Sequence, residues 1–234
     1  VNMKKLKLAL VSLAMLACVS TAASAVTYAA ADIGFAVPIS CGSYEFEQYG
    51  EKYTSSAAFV SLAPSISGMA LFNDKIGLFA NINPFFPVSY SSAIHDKNGK
   101  QVGNTSSGSI EGMTSGAKTS MFGMSFLIGP AINIIKNSKN CFTVSPGFHY
   151  GFANTTVSAE IMGSTLSKTV TNHYIGLGAS IQERLNITSK MHVLFSLEVT
   201  IDFVELGKDS NDNYVPTGAA YFNTVPSVGF GVNL

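Results

Sequence analysis

The side chains of this sequence that could do chemistry are four histidines and a few charged residues within otherwise apolar segments. The histidines are His95, His149, His173 and His192. They are scattered along the chain without the short spacings that bring metal ligands together. We therefore predict no metal site and no cofactor.

A hydrolytic site would need a nucleophile close to a base. His173 has serines upstream of it, at Ser158, Ser164 and Ser167, but no spacing singles out one of them. Glycines such as Gly176 form no phosphate-binding loop, because no helical pattern follows them. The sequence predicts that the protein is not an enzyme.

Three charged residues, Arg184, Glu198 and Asp202, share one face of two predicted strands. They can form a gate in a narrow lumen or an interior network of salt bridges, because charges in a poorly hydrated interior must be paired. We expect Arg184 to pair with Glu198. We expect His149 and His192 to form hydrogen bonds in the same interior, so that these five residues are the predicted lumen network.

The elements that position these residues are recognised by strict alternation of apolar and polar residues. Between positions 141 and 154, the even-numbered apolar residues such as Phe148 lie on one face, and small or polar residues such as His149 lie on the other. The segment 191–204 repeats the pattern, with Ile201 on the apolar face and Asp202 opposite. Only a strand separates these two sets cleanly. Six further segments alternate in the same way, namely 32–40, 57–71, 76–90, 120–135, 172–187 and 221–234.

The connections between these eight strands alternate in length. Short polar turns lie at 72–75, 136–140 and 188–190, whereas the longer links are 42–56, 91–119, 158–171 and 207–220. Tight turns on one side and larger loops on the other are typical of a transmembrane barrel. We predict an all-β fold, an eight-stranded antiparallel up-and-down transmembrane β-barrel.

Charge is scarce and lies mostly outside the strands. Only 12% of residues are charged and the formal net charge is zero, which gives no indication of a nucleic-acid partner. Several strand segments carry no charge, as a hydrocarbon layer demands of a lipid-facing surface. A soluble lipocalin-type barrel is the alternative, but its outer surface would be charged.

Residues 1–25 have the organisation of a secretory signal peptide. A basic region at Lys4, Lys5 and Lys7 precedes a short apolar run and an Ala23-Ser24-Ala25 cleavage site. A lipoprotein signal using Cys18 is the alternative. We expect cleavage to leave a barrel domain at 26–234, exported to the cell outer membrane.

The two remaining cysteines, Cys41 and Cys141, are predicted at opposite ends of the barrel. A disulfide needs Cα atoms within about 7 Å, and a membrane thickness separates these two positions. We therefore predict no disulfide between them.

The last strand carries the local feature that resembles a known family. Apolar residues alternate back from the terminus, at Pro226, Val228, Phe230, Val232 and Leu234. In topology, length and strand count, residues 26–234 resemble small outer-membrane barrels of the OmpA, OmpX and OmpW type, whose last strand is read by the barrel-assembly machinery. Leu234 stands where such proteins usually have Phe, which indicates an atypical lineage, with a spirochaetal member as one option.

That resemblance implies outer-membrane lipid and the assembly machinery as partners. It also implies a narrow, porin-like channel for small solutes. The alternative is a surface-exposed adhesin or antigenic protein that binds an extracellular ligand through loops 42–56 and 91–119. Without tryptophan, the interfacial aromatic belt must come from Tyr and Phe. We expect it at Tyr90, Phe142, Phe152, Tyr174 and Phe222.

Overall fold

A computed structural model describes residues 26–48, 50–108, 117–161, 164–208 and 213–234. The predicted signal peptide, 1–25, lies outside these ranges. Among the residues that the structure describes, no helix is long and apolar enough to span a membrane. The strands are β1 Tyr28–Ala36, β2 Ile39–Gln48, β3 Glu51–Leu71, β4 Ile76–Asp96, β5 Gln101–Gly108, β6 Ala117–Lys136, β7 Asn140–Ile161, β8 Ser164–Asn186, β9 Met191–Lys208, β10 Tyr214–Pro216 and β11 Ala220–Asn233.

The strands close into an antiparallel ring of eight. β1 and β2 together form one wall, because both pair with β3 on one side and with β11 on the other. The ring continues through β4, β6, β7, β8 and β9, and β11 pairs with β9 to complete it. The short strands β5 and β10 pair only with the outer parts of β4 and β9. The predicted eight-stranded barrel is confirmed.

The wall formed by β1 and β2 is interrupted between the two strands, at Val37 and Pro38. Proline has no N–H to donate to a ladder, so regular pairing stops there. The neighbouring groups keep partners all the same, because the Val37 N–H donates to the Pro226 carbonyl at 3.0 Å and the Pro38 carbonyl accepts from the Ser61 N–H at 2.8 Å. The barrel therefore stays closed across the break.

Side chains alternate between an apolar exterior and a polar interior. Leu177 is 60% exposed and Phe230 61% on the outer surface, whereas Thr143 and Ser145 are fully buried inside. Bare apolar surface of this kind is unfavourable in water and matches the hydrocarbon of a bilayer. Closure also satisfies the backbone amides, which cannot remain unpaired in lipid.

The three predicted short turns lie where expected, but the predicted long loops are mostly strand. Residues 42–48 belong to β2 and residues 51–56 to β3, with position 49 outside the described residues. Segment 91–119 holds the end of β4, all of β5 and the start of β6. Positions 109–116 lie outside the described residues. The predicted strands end where apolar alternation stops, which is the point where the outward face ceases to suit lipid. Backbone pairing continues beyond it, since hydrogen bonds between strands do not require an apolar face.

Both remaining cysteines are free thiols at different levels of the barrel. Cys41 is exposed on β2 opposite Phe222, and Cys141 is buried beside the 136–140 turn, opposite Arg184. The register therefore keeps them at opposite ends, as the sequence suggested.

Candidate functional site

The end of the lumen near the short turns is filled by a buried carboxylate, a guanidinium and an imidazole, named here the ion-pair plug: Asp32, Arg184 and His192. Arg184 Nη2 donates to Asp32 Oδ2 at 2.7 Å, and His192 Nε2 lies 2.5 Å from Asp32 Oδ1. Two further hydrogen bonds complete the network. Arg184 Nη2 donates to Gln182 Oε1 at 2.9 Å, and the Ser67 hydroxyl donates to Asp32 Oδ2 at 3.1 Å. Each carboxylate oxygen therefore has a strong donor, as a buried charge requires.

The guanidinium of Arg184 spans the lumen. Its second nitrogen, Nη1, lies 3.8 Å from Met69 Sδ. Met69 is on β3, four places round the eight-membered ring from β8 and therefore directly opposite. Gly231 makes room for the plug, because a Cβ there would lie 2.3 Å from Asp32 Oδ1 and 2.4 Å from His192 Nε2.

The predicted pairing of Arg184 with Glu198 is wrong. Arg184 pairs with Asp32, a residue that the sequence analysis did not select. Asp32 begins the first predicted strand with the same inward parity as Gly34, so alternation alone could have marked it as interior. Which inward charges meet depends on the stagger of the strands, and the residue pattern does not determine that stagger.

A second contact crosses the barrel nearer its middle. Asn81 Nδ2 on β4 donates to Glu198 Oε2 on β9 at 2.8 Å, again between opposite walls. The Ser65 hydroxyl lies 3.3 Å from Asn81 Oδ1. The other carboxylate oxygen, Glu198 Oε1, is buried and has no hydrogen-bond partner within the described part of the chain.

Above this crossing, on the side of the long hairpins, Ser125, His149 and Asp202 form a hydrogen-bonded chain. His149 Nδ1 lies 2.5 Å from Asp202 Oδ1, and His149 Nε2 lies 2.9 Å from Ser125 Oγ. Asn223 Nδ2 donates to the other Asp202 oxygen at 2.8 Å. Gly176 gives the carboxylate its space, since a Cβ there would approach Asp202 Oδ1 to 2.5 Å.

These groups line a cavity of about 60 Å³, named here the outer cavity. Its polar side includes Ser125, His149, Asp202, Asn83 and Glu198. Its other side is largely apolar and aromatic, with Phe59, Phe85, Met121, Tyr174 and Tyr221. A volume of this size holds a few water molecules or a very small organic group.

Two residues predicted for the interfacial belt point into the lumen instead. Tyr174 lines the outer cavity and packs edge-on against Tyr221 at 5.1 Å. Tyr90 is paired with Phe59, which lines the same cavity, and their rings lie 4.8 Å apart. Tyr174 has inward strand parity. Tyr90 has the parity of the outward Phe86, but the register shift in the β3–β4 pairing between Val60 and Ser61 turns it to the same side as Phe59. Phe222 does lie outside, 47% exposed.

An aromatic row on the outer surface links three neighbouring strands. Phe122 packs against Phe86 at 5.3 Å and edge-on against Phe152 at 6.4 Å. Of these, only Phe152 was a predicted belt residue.

The comparisons with known proteins concern the fold. No family model matches the sequence, and no curated protein matches it. Among solved structures, the outer membrane protein OprG from Pseudomonas aeruginosa is 12% identical, with a TM-score of 0.52 over 88% of this chain and 95% of that one. The chain folds as a small outer-membrane β-barrel.

Two other structures align over similar lengths with lower scores. Ail, the attachment invasion locus protein of Yersinia pestis, is 13% identical over 88% of this chain and 98% of that one, with a TM-score of 0.45. The outer membrane protease OmpT from Escherichia coli is 9% identical over 89% and 97%, with a TM-score of 0.40. A fold does not determine a function, so the absence of enzymatic activity stays a prediction, as does the spirochaetal lineage.

This outer-membrane barrel places all five predicted network residues in its interior, but in separate groups. Arg184 and His192 belong to the ion-pair plug, whereas His149 and Asp202 belong to the outer cavity. Glu198 makes the crossing to Asn81 and also lines the outer cavity. Four further interior residues were not predicted from the sequence, namely Asp32, Asn81, Asn83 and Ser125. Each has inward parity, and that was the available signal, but it is shared with many other small polar residues.

The other two histidines lie outside these groups. His173 is on the outer surface of the barrel, 2.8 Å from the Tyr150 hydroxyl and edge-on to Tyr214. His95 is near the tip of the β4 strand. In the part of the chain that the structure describes, no three metal-binding side chains come together.

The outer hairpins are tied together by an exposed ion pair. Lys97 Nζ lies 2.8 Å from Glu51 Oε2, and this hydrogen bond raises the pKa of Lys97. At the same tip, the backbone N–H groups of Lys100 and Asn98 donate to Asp96 and lower the pKa of its carboxyl. Gly99, at φ 75°, takes the left-handed conformation that this tight turn requires.

Proposed function

We propose that the protein is a gated passage for small, partly apolar solutes that enter the barrel from its outer mouth. The observation that carries the proposal is the outer cavity, which lies above two successive closures of the lumen. The cavity can receive a solute, and the Asn81–Glu198 crossing and the ion-pair plug lie between it and the periplasmic end.

The lining of the cavity favours solutes with an apolar part. Phe59, Tyr174 and Tyr221 present ring surface, and Tyr90 adds another ring beside Phe59. Aromatic walls with a few well-placed polar groups are typical of small-molecule sites. A strongly charged solute would lose its hydration here with few charged partners to replace it.

The ion-pair plug is suited to be the gate. Arg184 reaches from β8 toward β3, so rotation of this one side chain would remove the bridge across the lumen. Asp32 keeps a second partner in His192 during such a movement. The buried carboxylate therefore need not be left without a partner when the gate opens, which lowers the free energy of the open state.

Permeation through reconstituted liposomes and conductance in planar bilayers test this function. We expect the unmutated barrel to admit small solutes slowly and to show low conductance. The double variant D32S/R184S removes both charges and their volume without leaving either unpaired, and should be more permeable. The control E45S/K52S also removes one acid and one base, but from the outer hairpin.

Two results would contradict the passage. One is unmutated barrel that leaves liposomes no more permeable than lipid alone. The other is a folded D32S/R184S variant whose conductance equals that of E45S/K52S. Heat-modifiable mobility on gels shows in each case that the barrel is folded.

A second function, surface interaction, is supported by the outer hairpins. The β2–β3 and β4–β5 hairpins continue beyond the lipid-facing band, are braced by Lys97 and Glu51, and expose Tyr44 and Val102. Exposed aromatic and apolar side chains among charges suit a protein partner. Adhesion of bacteria displaying the barrel to matrix-protein surfaces should fall when residues 45–52 are replaced by a short turn. Unchanged adhesion with an intact barrel would argue against this role.

We also propose that residues 1–25 direct export and that the barrel-assembly machinery reads the last strand. N-terminal sequencing of the chain from purified outer membranes should begin at Val26. A chain that retains the leader, or one that begins at Cys18 with an attached lipid, would contradict the assignment.

A further inference from the structure

Ser125, His149 and Asp202 have the mutual geometry of a nucleophile, a base and a group that orients the base. The two contacts, 2.9 Å from Ser125 Oγ to His149 Nε2 and 2.5 Å from His149 Nδ1 to Asp202 Oδ1, run in series along one imidazole. Such a constellation is recognised by geometry, whatever its order in the chain. We infer that this group, facing the outer cavity, is a nucleophilic site that cleaves esters of short carboxylic acids.

The surroundings select one tautomer of His149. Asp202 accepts the Nδ1 proton, and Asn223 donates to the other carboxylate oxygen and holds the carboxylate in place. Nε2 is then an acceptor, and the Ser125 hydroxyl donates to it. In this state the imidazole can take the serine proton as a base, while Asp202 acts as a positioning residue.

Asn83 supplies a donor beside the nucleophile. It lies directly opposite Ser125 in the β4–β6 register, so both side chains face inward as neighbours. It lines the same cavity, is only 1% exposed, and its Nδ2 and Oδ1 have no partner among the side chains and backbone described. A buried amide without a partner is costly. Its Nδ2 is free to donate to the oxyanion that forms when Ser125 attacks a carbonyl.

The size and lining of the cavity limit the substrate. About 60 Å³ admits a short acyl group, and Phe85 and Met121 give it an apolar wall. The polar leaving alcohol would extend toward the mouth. Esters of short carboxylic acids therefore fit the enclosed part of the cavity.

The reaction balances with water as its only co-reactant. Ser125 Oγ bonds to the acyl carbon as its proton passes to His149 Nε2, and the ester C–O bond then breaks as that proton is delivered to the leaving alcohol. Water attacks the acyl-serine in the second half, gives a proton to His149, and the acid is released as Ser125 regains its proton. No oxidant, reductant or metal is required.

This inference shares the outer cavity with the proposed passage but does not depend on the plug opening. A barrel that conducts nothing can still cleave esters, and a barrel that cleaves nothing can still conduct. The two proposals can therefore fail separately. Conductance in bilayers tests the passage, and covalent labelling of Ser125 tests the nucleophilic site.

The test is covalent labelling of the refolded barrel in detergent with a small alkyl fluorophosphonate. Attack by an activated serine forms an O–P bond and releases fluoride, with the proton taken up by His149. Intact mass should show one adduct, and peptide mapping of the unmutated protein should place it on Ser125. Mapping needs no variant, so a variant that fails to fold does not obscure the result.

Variants then separate catalysis from structure. S125A and H149N should lose the adduct and reduce hydrolysis of p-nitrophenyl acetate by about 100-fold or more. S145A removes a fully buried lumen hydroxyl that has no hydrogen-bond partner among the described residues and does not line the outer cavity, so it should match the unmutated protein. D202N should lower the rate and change its pH profile, which a purely structural role would not do.

The inference is overturned if the folded barrel takes no adduct, if the adduct maps to another serine, or if H149N is labelled as fast as the unmutated protein. Equal hydrolysis by S125A and the unmutated protein would also overturn it.

Discussion

Replacing Arg184 with methionine should destabilise the barrel strongly. Met keeps the unbranched apolar stem that can contact Met69 but lacks the guanidinium, so Asp32 is left with His192 and the Ser67 hydroxyl as its partners. Removing one member of a buried ion pair costs about 3–5 kcal/mol. Because His192 remains, we expect the lower end of that range.

Unfolding in urea measures this effect. The protein has no tryptophan, so the folded fraction is best read from the heat-modifiable band on gels, in detergent, after equilibration from both the folded and the unfolded state. A loss of 3 kcal/mol corresponds to roughly 150-fold in the folded-to-unfolded ratio. The midpoint should therefore move far below that of the unmutated barrel.

The control is K136M. Lys136 also pairs with a carboxylate, Asp74, at 2.9 Å, but that carboxylate is 82% exposed. Exposed pairs of this kind contribute little to the free energy of unfolding, so K136M should have almost the same urea midpoint as the unmutated protein. The double variant D32N/R184M should recover part of the loss, since no unpaired charge remains. If R184M and K136M have the same midpoint, the ion-pair plug does not stabilise the barrel and the reasoning fails.

Three further predictions concern other parts of the barrel. G231A should lower stability, because its Cβ would lie 2.3 Å from a plug carboxylate, whereas G68A, with its nearest atom at 3.7 Å, should be tolerated; equal urea midpoints would contradict this. I201K should lower the free energy of unfolding in lipid by about 2–4 kcal/mol, because it places a charge on the lipid face. V102K changes a residue of nearly the same exposure on an outer hairpin and should have little effect. Equal refolding yields of the two variants in lipid would contradict the assignment of Ile201 to the lipid-facing surface. The lowered pKa of Asp96 implies that its carboxylate stabilises the hairpin tip above the ordinary carboxyl range, and that this stabilisation is lost as the pH falls through the lowered pKa. Amide exchange at the tip should therefore become faster over that pH range, beyond the normal pH trend, and D96N should remove this increase.

The sequence was sufficient for the barrel because lipid imposes one rule on every strand. A residue such as Leu177 or Ile201 must face outward, and its neighbours Gly176 and Asp202 then face inward. This parity follows from the geometry of a strand and needs no knowledge of the neighbouring strands. The hairpins beyond the lipid have no such rule, so the outer parts of β2 and β3 were predicted as loop.

The site could not be predicted to the same degree because it depends on stagger. Parity places Ser125, His149 and Asp202 inside the barrel, but they come from three strands, β6, β7 and β9. Whether they meet depends on the relative shift of those strands along the axis. The same uncertainty made Glu198 look like the partner of Arg184, when the register brings Asp32 to it instead.

A gate built from a stabilising ion pair sets stability against permeability. If the passage opens when Arg184 leaves Asp32, the free energy of that contact contributes to both the opening equilibrium and the stability of the barrel. D32S/R184S should then be more permeable, and any loss of stability should be smaller than that of R184M, because neither charge is left unpaired. A folded double variant that stays closed would separate the two properties, and the plug would then be an element of stability alone, with the outer cavity as a site that receives solutes without passing them on.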